Sequence, residues 1–293
     1  MPILLDFSGT VFSSVYVAVS SEKDTSLEYM RHLIINQIRS THKKFSKKYG
    51  ELILCLDSSN GYWRKDIFPY YKAKRKEARE ANTAIDWNEV FSNVHQVIDE
   101  IRENLPYKVI KIPKCEADDI VGTLSRLQPW NTSEDFFGIS KKEPTLIVSN
   151  DHDFKQLHKY DNVFQYFPKH AKIMAEPDPV YYLCEHILKG DPGDGIPNVL
   201  SDPDTFMDDN KRQKPLSKKK IINIYTTKEI PDDIKKRYEV NKTLIDLSLT
   251  PEELVESIIS EYTNIKTQQN RMKLMMYLTK YSLDMQLQHI EDF

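Results

Sequence analysis

Short apolar runs alternate with longer amphipathic segments over the first 170 residues of the chain. The apolar runs have the length of buried strands, and they lie at 3–7, 52–56, 107–112, 144–148 and 163–167. Between them, apolar residues recur at helical spacing at 27–49, at 87–105 and from 120 onward. Apolar strands that alternate with helices predict an α/β fold with a mostly parallel central sheet and helices on both faces.

The pattern changes near residue 178, where the strand-like runs stop. Helical spacing follows at 179–189, 217–226, 231–247, 251–263 and 268–280. An acidic, turn-rich loop at 190–199 and a polar stretch at 201–215 interrupt these helices. We therefore predict two domains, an α/β core at 1–177 and a helical subdomain at 178–293.

Acidic residues follow four of the predicted strands. In chain order they are Asp6, Asp57, three acids of the CEADDI stretch at 115–120 (Glu116, Asp118 and Asp119), and Asp151 with Asp153. Because the functional crevice of such a sheet lies beyond the carboxyl ends of its strands, we expect these side chains to converge there. The CEADDI stretch alone also permits a second interpretation, a solvated acidic helix start, since a helix N-terminus favours negative charge.

Converging carboxylates favour a site for Mg²⁺, which prefers oxygen ligands. Asp191 and Asp194 in the loop at 190–199 raise the number of candidate acids to nine, more than one ion needs. Two ions about 4 Å apart stabilise both the attacking and the leaving oxygen of a phosphodiester displacement. The sequence offers no P-loop and no Ser/His/Asp arrangement as a competing chemistry.

Positive charge is concentrated in two places, although the net charge of the 293-residue chain is −3. Residues 64–79 hold seven basic residues against two acids, and residues 211–220 hold six basic residues and no acid. Basic patches beside an acidic centre fit a nuclease, whereas the alternative is ordinary solvated helix faces. The segment 61–84 is also aromatic and short of apolar anchors, so we expect it to be mobile without substrate.

The cysteines and the apolar runs bear on the location of the protein. Cys55, Cys115 and Cys184 are far apart and form no CxxC pair, which indicates a reducing compartment and no disulfide framework. No apolar run approaches the ~20 residues that a spanning helix needs. We expect a cytoplasmic protein without a signal peptide or a membrane partner.

Five stretches together resemble one known family. They are LLDFS at 4–8, LCLDSSNGYWRKDIFPYYKAKR at 54–75, CEADDI at 115–120, IVSNDHDFKQLHKY at 147–160 and ILKGDPGDGIPNV at 187–199. In this order and spacing the chain resembles the 5′-nuclease or flap endonuclease family, most closely the ribonuclease H type of T-even bacteriophages. The resemblance implies a PIN-like core, a basic arch at 61–84, and a helical DNA-binding subdomain with a helix-turn-helix at roughly 190–226.

The resemblance also implies an activity. Members of this family are metal-dependent 5′ to 3′ exonucleases and flap endonucleases. The substrates expected from it are RNA–DNA hybrids, as in primer removal, and 5′-flapped or duplex DNA during lagging-strand replication in a phage-infected host. The expected cofactors are two Mg²⁺ ions, with Mn²⁺ as a substitute.

The family's site residues are transferred only to matching positions. The first metal ion is assigned to Asp6, Asp57, Glu116, Asp118, Asp119 and Asp151. The second is assigned to Asp153, Asp191 and Asp194, with help from Glu116 or Asp118. The residues expected to act in catalysis are Lys72, Arg75, Asp118 and Asp151, with both cations at the scissile phosphate. The residues expected to contact nucleic acid are Arg64, Lys65, Tyr71 (by base stacking), Lys72, Arg75, Lys218, Lys219 and Lys220.

The sequence departs from the family pattern in three places, and two of them bear on the ions and proteins that it is expected to bind. Residues 200–220 stand where many relatives have a glycine-rich turn that binds a monovalent ion, so no K⁺ site is predicted. His152 stands where many relatives have glycine. The chain begins almost at the first strand, so N-terminal contact with a sliding clamp is not expected. A monomer is expected, with the replisome's single-stranded-DNA-binding protein and sliding clamp as further candidate partners.

Two other functions compete with that of a nuclease. DFSGT at 6–10 resembles the nucleophile motif of haloacid-dehalogenase-type phosphatases, but Ser8 stands where that chemistry needs a second aspartate. The other rival is a nucleic-acid-binding relative that has lost catalysis, against which the acids at every strand end argue.

Overall fold

A six-stranded sheet forms the centre of the computed structural model, which describes residues 1–22, 24–75, 85–130, 143–267 and 270–293. The strands are β1 (Pro2–Asp6), β2 (Glu51–Cys55), β3 (Lys108–Ile110), β4 (Thr145–Val148), β5 (Val163–Phe167) and β6 (Lys172–Met174). Their order across the sheet is β3-β2-β1-β4-β5-β6. The first five strands are parallel, and β6 pairs antiparallel with β5. The predicted α/β fold with a mostly parallel sheet is therefore confirmed, and the helix-turn-helix at roughly 190–226 stays a prediction.

The helices follow the predicted pattern closely. They are α1 (Ser13–Glu22), α2 (Leu27–Tyr49), α3 (Trp63–Ile67), α4 (Trp87–Asn104), α5 (Ala117–Leu127), α6 (Pro179–Lys189), α7 (Lys218–Thr227), α8 (Asp232–Ile245), α9 (Glu252–Asn264), α10 (Arg271–Lys280) and α11 (Asp284–Gln288). A π-helical turn at Phe7–Phe12 precedes α1, and a 3₁₀ helix at Asp153–Lys159 follows β4. Helix α2 begins after Ser26, whose side chain accepts the amide hydrogen of Tyr29, as capping residues do.

The two faces of the sheet bury separate cores, because successive side chains of a strand point to opposite sides. Ile3 and Leu5 of β1 face the larger core, which α1, α2, α4 and α10 cover. Leu4 faces the other core, which α5 and α9 cover. Central strands that are buried on both faces explain why their sequences are continuously apolar rather than alternating.

The helices after residue 178 are shared between several cores. Helices α6, α7 and α8 pack with one another in two small apolar clusters. Helix α10 instead packs into the large core through Leu274, Tyr277 and Leu278. Much of the C-terminal chain therefore stabilises the sheet directly. The predicted domain boundary at 177/178 stays a prediction.

Several local elements differ from the sequence prediction. Helix α1, the antiparallel strand β6 and helix α11 were not predicted, since each is short or lacks a clear apolar period. The expectation that 61–84 lacks apolar anchors is wrong for its first part, where Trp63, Phe68 and Tyr71 are buried. Residues 76–84, with Lys76 and Arg79, and most of the predicted loop at 129–143 lie outside the described residues. The three cysteines are free, and no described helix is long and apolar enough to cross a bilayer.

A buried ion pair joins the two long helices of the large core to the C-terminal chain. The Arg31 guanidinium in α2 donates to both carboxylate oxygens of Glu100 in α4, at 2.7 and 2.9 Å. The Tyr277 hydroxyl in α10 donates to the same carboxylate at 2.9 Å. The guanidinium also lies 3.8 Å from the centre of the Tyr281 ring. The charged groups of Arg31 and Glu100 and the Tyr277 hydroxyl therefore all have partners inside an apolar core, and the Tyr281 ring covers the guanidinium.

We expect Glu100→Ala to lower the free energy of unfolding by about 3–5 kcal/mol, because it leaves the Arg31 charge buried without its partner. Denaturant unfolding monitored by circular dichroism measures this. The matched control is Asp99→Ala, which removes an exposed partner of Arg102 and should change stability by about 0.5 kcal/mol or less. Equal effects of the two substitutions would contradict the proposed role of the buried pair.

Candidate active site

Four strand ends deliver carboxylates to one edge of the sheet. Asp6 is the last residue of β1, and Asp57 lies two residues after β2. Asp118 lies in the first turn of α5, which follows β3, and Asp151 follows β4. These strands are neighbours in the sheet, so the turns that follow them lie side by side at the edge formed by the carboxyl ends of the strands. The structure therefore brings these four predicted residues together.

The electrostatics of this cluster show how crowded the acids are. Burial raises the pKa of Asp6 to about 7, and repulsion from Asp57 and Asp151 adds to it. Burial also raises the pKa of Asp118, with further repulsion from Asp151, Asp6 and Glu116. A carboxylate that is buried beside like charges holds a proton unless a cation is near. The cluster is therefore poised to bind positive charge.

Local hydrogen bonds fix the orientation of these carboxylates. Asp6 accepts the Gly9 amide hydrogen at 2.8 Å and the Ser149 hydroxyl hydrogen at 2.6 Å. A Cβ atom at Gly9 would lie 2.0 Å from the Asp6 carboxylate, so only glycine fits there. Asp57 accepts the Ala117 amide hydrogen at 2.7 Å, which ties the end of β2 to the start of α5. Ser149 is a positioning residue that the sequence analysis quoted in its motif but did not single out.

A second cluster lies beside the first and includes a residue that the sequence analysis missed. Asp153 is linked to the first cluster by its amide, which donates to Asp151 at 2.8 Å. The His186 ring lies between Asp153 and Asp191, with nitrogen–oxygen distances of 3.5 and 3.6 Å. Burial raises the pKa of Asp153 to about 7, and Asp151, Asp191 and Asp194 add repulsion. The only sequence signal for His186 is its place one turn before the GD pair at 190–191.

The arch supplies cations to both clusters. Lys72 pairs with Glu116, and its ammonium also lies 3.6 Å from Asp194. Arg75 pairs with the other oxygen of Asp194. Burial alone would lower the pKa of Lys72, but Asp194, Glu116 and Asp118 raise it. Lys72 and Arg75 therefore converge on one acidic residue, Asp194, and their place at the scissile phosphate stays a prediction.

Comparison with known proteins identifies the chain. The family model for the N-terminal, resolvase-like domain of 5′-3′ exonucleases matches residues 2–181. The chain belongs to the 5′-3′ exonuclease family. A second family model, for the C-terminal part of T4 RNase H, matches residues 179–293. Ribonuclease H of Enterobacteria phage T4 is 33% identical, over 99% of this chain and 95% of that protein. A 5′-3′ exonuclease of Mycobacterium tuberculosis is 31% identical, over 51% of this chain and 50% of that protein.

Solved structures agree with the fold of this exonuclease family. A bacteriophage T5 protein co-crystallised with metal ions matches with a TM-score of 0.63 and 14% identity, over 89% of this chain and 98% of that chain. A complex of the T5 flap endonuclease with DNA and metal ions matches with a TM-score of 0.57 and 17% identity, over 100% of this chain and 99% of that chain. The family match and the similarity to T4 ribonuclease H together show that the chain is a 5′-3′ nuclease, and neither the phosphatase nor the silent-relative alternative is supported.

Asp119 has a different environment from its neighbour Asp118 in this nuclease. Its two oxygens accept hydrogens from the Arg64 guanidinium at 2.8 and 3.0 Å, and from the Trp63 indole at 3.1 Å. The Glu116 amide donates to the same carboxylate at 2.9 Å. Asp119 was predicted as a metal ligand, but these protein donors already occupy both of its oxygens. The structure places it in a buried ion pair rather than among the open carboxylates.

Two residues that were predicted to contact nucleic acid are buried inside the protein instead. Arg64 is 2% exposed, and its guanidinium is enclosed by Asp119, Glu116 and the Leu244 carbonyl. Tyr71 is 2% exposed, and its hydroxyl donates to Glu116 at 2.9 Å and to Asp194 at 2.8 Å. Neither side chain is available to a base or phosphate in this arrangement, because tertiary contacts bury both.

Four lysines that were also predicted to contact nucleic acid lie at or near the surface, away from the acidic clusters. Lys65, Lys218 and Lys219 are exposed. Lys220 is half-buried and lies 3.7 Å from Asp233 at the start of α8. Lys218 and Lys219 stand in the first turn of α7, after Ser217, which caps the helix by accepting the Lys220 amide hydrogen.

Neutral substitutions at the adjacent residues Asp118 and Asp119 should change the stability of the protein in opposite directions. We expect Asp119→Asn to lower the free energy of unfolding in EDTA by about 3 kcal/mol, because the buried Arg64 guanidinium keeps Glu116 but loses the carboxylate that takes two of its hydrogens. Asp118→Asn should raise the melting temperature in EDTA, because it removes a charge that Asp151, Asp6 and Glu116 repel. Thermal unfolding of both variants in EDTA measures the difference. If both substitutions shifted the melting temperature in the same direction, the different roles of Asp118 and Asp119 would be contradicted.

Proposed function

We propose that this nuclease removes RNA primers from RNA–DNA hybrids and cleaves 5′-flapped DNA, using two divalent metal ions. The observation that carries the proposal is the convergence of Asp6, Asp57, Asp118 and Asp151 at one sheet edge beside the arch cations, with Asp6 buried and the other three half-buried. The similarity to T4 ribonuclease H over nearly the whole chain supports the hybrid as a substrate. The match to the T5 flap endonuclease bound to DNA supports the flap.

The residues present fit divalent ions. Asp6, Asp57, Asp118 and Asp151 would hold the first ion. Glu116, whose oxygens pair here with Arg64, Tyr71 and Lys72, would lie beside that ion. Asp153, Asp191 and Asp194 would hold the second. The donors are oxygens, as Mg²⁺ and Mn²⁺ prefer, and the raised pKa values of Asp6 and Asp153 reflect a need for cationic partners. The ions, when bound, would activate water and stabilise charge on the leaving oxygen.

Lys72 and Arg75 would act on the scissile phosphate. Both cations already reach the junction of the two acidic clusters, through Glu116 and Asp194. A phosphate that enters there brings negative charge, and cations held in place stabilise the charge that develops during displacement. Tyr71 would hold Glu116 and Asp194 in position through its hydroxyl, a different role from the predicted base stacking.

Lys65, Lys218 and Lys219 would contact the phosphates of the duplex. They are exposed, and Lys218 and Lys219 lie at a helix N-terminus, where the backbone amides also favour phosphate. Contacts of this kind position a duplex without reading its sequence. They suit an enzyme that recognises the structure of a junction rather than a base sequence.

The proposed function is tested by Asp151→Asn. We expect the Mg²⁺-dependent cleavage of a 5′-labelled RNA–DNA hybrid and of a 5′-flap DNA to fall at least about 10³-fold, because an oriented carboxylate of the cluster is lost. Binding of the flap in Ca²⁺ should be kept. Asp161→Asn, at an exposed position before β5, is the matched control and should cleave normally. Near-normal turnover of Asp151→Asn at saturating Mg²⁺ would overturn the metal assignment.

Lys72 should matter more for the chemical step than for binding. We expect Lys72→Ala to lower the single-turnover rate about 10²- to 10³-fold, the effect of removing one group that stabilises transition-state charge. The dissociation constant for flap DNA in Ca²⁺ should change much less. Lys72→Arg should rescue the rate only in part, because a planar guanidinium does not replace a compact ammonium. Lys47→Ala on α2 is the control, and equal rates for Lys72→Ala and Lys47→Ala would exclude the role.

A further inference from the structure

His186 is held between two acids of the second cluster by the end of a helix. Helix α6 ends at Lys189, and Gly190 has a φ of 68°, so the chain turns and brings Asp191 back beside the ring. On the other side of the ring, His186 Nδ1 lies 3.5 Å from an oxygen of Asp153. The ring edge also packs against Tyr182 of the same helix, with 5.8 Å between the ring centres. The orientation of the imidazole is therefore set by its surroundings.

The two ring nitrogens have different partners. Nε2 faces Asp191 Oδ2 at 3.6 Å. The other oxygen of Asp191 is occupied, because it accepts the amide hydrogens of Gly193 at 2.7 Å and Asp194 at 3.3 Å. Nδ1 is buried and has no hydrogen-bond partner among the described residues. A buried polar atom of this kind calls for an explanation, such as an ion that binds it.

The spacing of Nδ1 and Asp153 is typical of two ligands of one ion. At 3.5 Å the two atoms are too far apart for a good N–H···O hydrogen bond, which spans about 2.7–3.2 Å. Two neighbouring ligands that each bind an ion at about 2.1 Å lie about 3.0 Å apart in an octahedral site and about 3.4 Å apart in a tetrahedral one. The atoms of Asp153, His186 and Asp191 that could bind an ion all lie within 4.8 Å of one another. The pair has the separation that a shared ion produces.

We propose that His186 binds the second metal ion through Nδ1, beside Asp153, while the negative charge of Asp191, 3.6 Å from Nε2, attracts that side of the ring and orients it. The inference rests on the second metal site of the proposed function and changes its composition. Asp191 then acts through His186, as carboxylates commonly do for metal-bound histidines. An imidazole nitrogen suits transition metals better than Mg²⁺, whereas carboxylates suit Mg²⁺ and Mn²⁺. The second site should therefore prefer Mn²⁺ or Co²⁺ to Mg²⁺, and the first site should not.

The test uses the full chain loaded with Mn²⁺ in the absence of nucleic acid. Pulsed electron paramagnetic resonance detects coupling of Mn²⁺ to a directly bound ¹⁴N nucleus, and titration calorimetry gives the affinities of the sites. We expect nitrogen coupling in the wild type and its loss in His186→Gln, with Mn²⁺ affinity at one site lowered about 10-fold or more. His152→Gln, an exposed histidine beside Asp153, is the matched control and should keep both.

Asp191→Asn separates the ligand from the residue that orients it. We expect this variant to keep the nitrogen coupling while one site binds Mn²⁺ about 10- to 100-fold more weakly, as for a lost outer partner of a metal-bound histidine. Circular dichroism melts in EDTA show whether each variant is folded, and an unfolded His186→Gln would be replaced by His186→Asn. Mg²⁺ affinity at the first site should be equal in all folded variants.

Each result decides the assignment. Absence of nitrogen coupling in the wild type overturns it, even if His186→Gln weakens metal binding, since His186 would then act only by hydrogen bonding. Coupling that survives His186→Gln also overturns it. These failures differ from failure of the proposed function, which would appear as metal-independent cleavage or as full activity of Asp151→Asn.

Discussion

Repulsion among buried carboxylates is the constraint on which much of this structure depends. Burial and like charges raise the pKa of Asp6, Asp118 and Asp153. The charged forms of these acids are therefore unfavourable at the sheet edge unless hydrogen bonds and nearby cations stabilise them. The fold supplies three cations from one segment, residues 64–75. The position of the arch relative to the sheet is therefore an electrostatic requirement as well as a consequence of packing.

Arg64 shows how this requirement shapes the fold. Its guanidinium donates to Asp119 and Glu116 in the acidic helix start, and to the Leu244 carbonyl near the end of α8. One buried side chain thus connects the arch, the core and the C-terminal helices. A buried guanidinium needs all of its donors satisfied, so these three parts of the chain are held in one relative position. The Arg31–Glu100 pair acts similarly on the opposite side of the sheet.

The arch has two parts with different physical characters. The described residues 61–75 are anchored by Trp63, Phe68 and Tyr71, and the cations that would meet substrate stand at the end of this anchored part. Lys72 adopts a left-handed backbone conformation with a φ of 54°, and its amide donates to the Asp194 carbonyl at 2.8 Å. Its ammonium is thereby directed at Glu116. Such a fixed geometry suits a charge-stabilising group better than a mobile tether would.

The local sequence determined the sheet, most of the helices and the edge at which the acids meet. Apolar runs on strands that are buried on both faces, and helical spacing between them, carry that information without knowledge of distant contacts. The same pattern placed Asp6, Asp57, Asp118 and Asp151 at neighbouring strand ends, where the structure brings them together. Helix α2 shows what the local pattern does not determine. Its bounds at 27–49 were predicted, but the burial of the charged Arg31 side chain within it was not.

Only the tertiary structure decided which charged residues face one another. Asp118 and Asp119 are adjacent and chemically identical, yet one faces the acidic cluster and the other faces Arg64, because a turn of helix points them in different directions. His186 has no local pattern that marks it, and it joins the second cluster because the end of α6 packs against the 3₁₀ helix after β4. Tyr71 is aromatic and sits in a basic segment, which suggests base stacking, but tertiary packing buries it as a hydrogen-bond donor. Local sequence specifies the chemistry of a side chain, whereas its partners depend on segments that folding brings together from far along the chain.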